Sequence, residues 1–108
     1  MDIRALVGVI QTNKCKVRMK VRGYSAPEGW NDWAIIPTAG YIEINGPWPI
    51  RQVDWVEINP IVTEHIGRLV PPKRIDSSMQ IEEGLRQADI SYIVLDGIIR
   101  ISFPDTAY

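Results

Sequence analysis

Residues 91–103 read SYIVLDGIIRISF. Two apolar runs, 91–95 and 98–103, flank Asp96-Gly97. A two-residue Asp-Gly loop favours a type I′ turn, whose twist matches that of paired antiparallel strands. The stretch therefore predicts a β-hairpin and commits the end of the chain to a sheet. Just before it the hydrophobic period changes. Ile81, Leu85 and Ala88 recur at helical spacing, with Glu82, Glu83, Arg86 and Gln87 on the opposite side. Ser77 and Gln80 have the spacing of a capping box, so a helix is expected over about residues 78–89. Gly84 costs that helix about 1 kcal/mol relative to alanine.

Working outward from this helix and hairpin, the next clear element is residues 14–22, KCKVRMKVR. Lys14, Lys16, Arg18, Lys20 and Arg22 alternate strictly with Cys15, Val17, Met19 and Val21. Period-two alternation predicts a half-buried strand with a wholly cationic outer face. Residues 50–58 carry apolar groups on both faces and read as a central strand. Asp54 and Glu57 are three apart, which puts them on opposite faces of a regular strand rather than in one acid/base pair. Residues 33–37 and 41–45 are expected as two short strands around Thr38-Ala39-Gly40. Near the start, Ile3, Leu6, Val7 and Ile10 favour a helix capped by Asp2, with a strand as the alternative. Residues 60–69 fit either a short helix begun by Pro60 or an extended path. The expected class is α+β: a single antiparallel sheet of about five or six strands covered by one or two helices.

At 108 residues the chain has the size of one domain. No apolar run approaches the roughly 20 residues of a membrane span, and residues 1–10 lack the pattern of a secretory leader. The lone Cys15 rules out an internal disulfide, in keeping with a cytoplasmic location. The net charge of −1 conceals an asymmetry. Residues 1–22 sum to +5, residues 23–67 to −5 and residues 68–108 to −1. A basic segment thus precedes an acidic one that also holds Trp30, Trp33, Trp48 and Trp55.

Several chemistries lack their residues. His65 is the only histidine, and with one cysteine 50 positions away no metal-ligand spacing exists. Cys15 points inward in an alternating strand and reads as a small buried hydrophobe. Nucleophile-elbow, phosphate-loop and dinucleotide motifs are absent from the sequence. A non-catalytic protein without cofactor or metal is expected, leaving two surface readings. The acidic middle offers Glu28, Trp30, Asp32, Glu43, Trp48 and Glu57 as contacts for a basic protein partner, with loop tryptophans as anchors and Trp33 and Trp55 in the core. The alternative is a nucleic-acid face built on Lys14, Lys16, Arg18, Lys20 and Arg22. That strand has no interleaved aromatics for base stacking, so its plainer role is to keep a sheet edge from aggregating.

GPWPIRQVDWVEI and IDSSMQIEEGLRQADISYIVLDGIIRI resemble an uncharacterised family of small bacterial proteins. In that pattern a Trp-Asp/Trp-rich middle leads into an acidic (I/V)-(D/E)-W-(I/V)-E-I strand. A capped helix and an I-x-Y…D/N-G-x-I-x-I hairpin follow. The matching positions are 53–58, 90–92 and 96–101. The pattern often closes on Gly-Tyr, where this chain has Phe103-Pro104. Small proteins of this kind resemble immunity proteins of bacterial toxin systems, including contact-dependent growth inhibition. The resemblance implies an inhibitor that occludes a cognate toxin domain, such as a nuclease, and brings no catalytic residue with it.

Overall fold

The structure, a computed structural model, describes residues 1–64 and 67–103. His65, Ile66 and Pro104, which entered the sequence readings, lie outside the described residues. Helix α1 spans Ile3–Asn13, and the Asp2 side chain accepts a hydrogen bond from the Ala5 amide at its start. Ile3, Leu6, Val7 and Ile10 form its buried stripe. Lys14 ends it in the left-handed region, with φ of 52°. Strand β1, Lys16–Val21, then buries Val17, Met19 and Val21 and turns Lys16, Arg18 and Lys20 the other way.

The strands form one main sheet and two small ones. Strands β2 (Tyr41–Glu43) and β3 (Pro47–Pro49) pair with each other. A 3-10 turn over Ile50–Gln52 leads into β4, Val53–Asn59. Strands β5 (Ile61–Glu64) and β6 (Lys73–Asp76) make a second pair. Helix α2 (Ser78–Gln87) precedes β7 (Ile93–Leu95) and β8 (Ile98–Ser102). The main sheet has the order β1-β4-β8-β7, and every neighbour is antiparallel. The α+β class is as expected, but the strands do not lie in a single sheet.

The terminal hairpin closes through Asp96 and Gly97 at φ of 51° and 78°, the pair of positive values that a type I′ turn needs. Strand β4 is central, flanked by β1 and β8. Both helices contribute to one buried cluster in which Leu6, Ile10, Ile81 and Leu85 join Val17, Met19, Val56, Ile58, Ile99 and Ile101. The helices therefore cover one face of the main sheet. Among the described residues, no helix is long and apolar enough to cross a membrane.

One open alternative is resolved and three local readings are corrected. Residues 61–64 take the extended path, because Ile61, Val62 and Thr63 are all β-branched and suit a pleated strand better than a helix. The strand expected over 33–37 shrinks to one bridge between Ile35 and Glu43. Pro37, with no amide hydrogen, cannot extend the ladder. The capping box at Ser77 does not form. Asp76 caps α2 instead, its carboxylate accepting from the Ser78 amide at 2.9 Å and from the Ser78 hydroxyl. Trp33, expected in the core, is 47% exposed.

Candidate binding face of the main sheet

The helix-free face of the main sheet is built by register. Opposite each other stand Lys16 and Asn59, Arg18 and Glu57, and Lys20 and Trp55 across β1 and β4. Across β4 and β8 the pairs are Glu57 with Arg100 and Trp55 with Ser102. Ile93 lies opposite Arg100, and Leu95 opposite Ile98. Because side chains alternate, all of these project to the side away from the core.

Glu57 is the centre of this face. It is 3% exposed, and both of its oxygens are held. Arg18 Nε donates to Oε1 at 2.7 Å, and Arg100 Nε and Nη2 reach Oε2 at 2.9 and 2.8 Å. Each guanidinium also lies over an indole: Arg18 on Trp30 at 4.2 Å and Arg100 on Trp55 at 4.7 Å from the ring centroid. A carboxylate grip on one side and a stacked ring on the other hold both arginines in place while leaving them partly exposed. Two guanidiniums around one carboxylate leave the cluster with one net positive charge.

The register also slips once. Lys20 pairs with Trp55, but Val21 pairs with Val53, so Asp54 is an extra residue in β4. This bulge brings the Asp54 carboxylate to Lys20 at 2.9 Å and to Arg22 at 3.8 Å. Asp54 and Glu57 therefore serve the same row of cations, contrary to the expectation for a regular strand. Asp32 pairs with Lys16 at the edge. The asymmetry of charge along the chain is thus partly offset in space, where five cations, Lys16, Arg18, Lys20, Arg22 and Arg100, surround three carboxylates, Asp32, Asp54 and Glu57.

The six residues expected as one acidic partner surface divide into two groups. Trp30, Asp32 and Glu57 belong to the face just described, Glu57 as its internal brace. Trp48 packs against the core and against Tyr24, with ring centroids 5.2 Å apart, and Glu43 sits half-buried on β2. Glu28 is exposed in the loop before Trp30. Of the expected nucleic-acid residues, Lys14 ends α1 rather than joining β1, and the other four are engaged with carboxylates. Trp55 is buried as expected, but on this outer face rather than among the core side chains. Sequence reasoning missed Arg100. Its signal was present: in Ile98–Ser102 it is the one cation in an apolar strand, out of phase with Ile99 and Ile101.

No group of three or more metal-ligating side chains gathers among the described residues. Cys15 is buried, donates weakly to the Ile10 carbonyl at 3.7 Å, and burial pushes its thiol up to about 11. The ordinary value is 9.0, so at a given pH it holds about a hundredfold less of the reactive thiolate than an ordinary thiol. Thiol reagents are expected to modify the native protein far more slowly than the denatured chain at mildly alkaline pH. Equal rates, measured by absorbance, would show that Cys15 is accessible.

Fold and face define a small α+β protein with a sheet surface of braced arginines and tryptophans. The chain belongs to a family of unknown function, DUF6678, whose model matches residues 9–102. No curated protein and no solved structure matches it.

Proposed function

We propose that this protein is a non-catalytic cytoplasmic binder, and specifically an immunity protein that occludes a cognate bacterial toxin domain. The observation that carries the binding part is the pair of arginines braced by Glu57 and stacked on Trp30 and Trp55, on a sheet face without helices. Trp and Arg dominate interface hot spots, and fixing them before contact reduces the entropy lost on binding. The toxin part is supported by the resemblance carried by residues 53–58, 90–92 and 96–101. Trp30 with Arg18 would supply the anchor. Glu28, exposed in the loop before Trp30, would pair with a cation of the partner.

Phosphate recognition by the same face is the weaker reading. Lys16, Arg18, Lys20 and Arg22 each have a carboxylate partner that a phosphate must displace. The test reads the genes flanking its own, co-expresses the protein with any toxin domain found there, and follows cell survival and complex lifetime; the absence of a toxin gene overturns the reading. Wild type is expected to protect. Trp30→Ala, once shown to fold, should shorten the complex lifetime about tenfold, equivalent to about 1.4 kcal/mol. Glu28→Lys should slow association. No protection, or undiminished protection and lifetime with folded Trp30→Ala, overturns the reading. Tight oligonucleotide binding that falls steeply with salt would replace it with the nucleic-acid function.

A further inference from the structure

The two edges of the main sheet are finished differently. Edge β1 carries Lys16, Arg18 and Lys20, and Asn31 bridges to it through two main-chain hydrogen bonds with Val17, at 2.8 and 2.7 Å. Charges and a covering segment are the usual protection against edge-to-edge pairing. Among the described residues, edge β7 has neither. Ile93, Val94 and Leu95 are 52%, 51% and 43% exposed, and the strand holds no charge, proline or bulge. In a hairpin with a two-residue turn, the residues flanking the turn exchange hydrogen bonds, and the next pair inward does not. Leu95 thus bonds to Ile98, while the Val94 amide and carbonyl point away from β8.

We propose that β7 pairs with β7 of a second copy of this chain, antiparallel about a two-fold axis at Val94. The edge is self-complementary in that arrangement. The two Val94 residues exchange both main-chain hydrogen bonds. Ile93 meets Leu95 of the other copy on the outer face, and no like charges oppose each other. A second copy fits this edge because every position of β7 meets an apolar position of its own image. The joined sheets would have eight strands, with a guarded β1 at each end. The inference is independent of what binds the arginine-bearing face.

Three residues per copy bury far less than the roughly 1,200 Å² of a standard stable interface. The dimer is therefore expected to be concentration-dependent, with Kd in the micromolar range or weaker. Analytical ultracentrifugation of the whole protein, from low-micromolar to millimolar concentration, should show a reversible monomer–dimer equilibrium. Val94→Lys opposes two like charges at the axis, and Val94→Pro deletes the outward N–H while sparing the bonds to β8. Each should weaken dimerisation at least about tenfold, equivalent to about 1.4 kcal/mol. Because Val94 lies outside the buried core, both variants should keep the wild-type circular dichroism spectrum. A wild type that stays monomeric at every concentration overturns the proposal. So does a folded Val94→Pro that dimerises as wild type does, since pairing through the main chain cannot then be the contact.

Discussion

Glu57→Ala is expected to lower the stability of the fold by about 3 kcal/mol. The carboxylate is buried, and its removal leaves Arg18 and Arg100 facing each other across the space it filled. Losing one partner of a buried charge cluster is costly because the remaining charges lose their compensation. Partial exposure of both arginines lets water screen them, which keeps the cost at the lower end of the range for buried pairs. For a domain of this size the melting temperature should fall by roughly 12–24 °C. Glu57→Gln keeps the shape and some hydrogen bonds and should lose less. Replacing all three residues together, Arg18→Met, Glu57→Leu and Arg100→Met, should recover most of the loss, since an apolar cluster of similar volume leaves no charge uncompensated. Asp32→Asn is the control: its pair with Lys16 is exposed and worth at most about 1 kcal/mol. Urea and thermal melts decide the matter. A Glu57→Ala melt equal to that of wild type would mean that the arginines are held by the tryptophans alone.

The parts of this fold that were legible in the sequence are those decided by neighbours in the chain. The Asp96-Gly97 turn, the stripe of Ile81 and Leu85, the Asp2 cap and the alternation of Lys16–Val21 each need only a few consecutive residues. What could not be read depends on which strands meet. The Arg18–Glu57–Arg100 cluster joins residues 39 and 43 positions apart, and it exists only because β4 lies between β1 and β8. The bulge at Asp54 escaped for the same reason, because a register slip belongs to a pair of strands and leaves no trace in either one. The charge asymmetry was real but misleading as a guide to surfaces. Basic β1 and acidic β4 are neighbours and offset much of each other's charge. The four tryptophans show the limit plainly. Trp33 and Trp55 looked alike in sequence, yet one is exposed and the other lies beneath an arginine.

Gly84→Ala separates sequence reasoning from structural reasoning most sharply, because the two predict opposite signs. By helix propensity alone, alanine should stabilise α2 by about 1 kcal/mol. In the packed protein a Cβ on residue 84 would stand 2.9 Å from Cγ2 of Val9 on α1, closer than side chains approach. Val9 cannot easily turn away. A β-branched residue in a helix has one strongly preferred rotamer, and Val9 packs against the core. The strain must then go into separating α1 from α2, which share the buried cluster. Overpacking costs about 1–3 kcal/mol, and the strong rotamer preference of Val9 puts this contact toward the upper end. Subtracting the gain in propensity leaves Gly84→Ala destabilising by about 2 kcal/mol. The double variant Gly84→Ala with Val9→Ala removes the clash and should recover most of the loss, a coupling that a double-mutant cycle measures directly. If Gly84→Ala alone raises the melting temperature, the helices are free to move apart, and Gly84 is simply a weak position in α2.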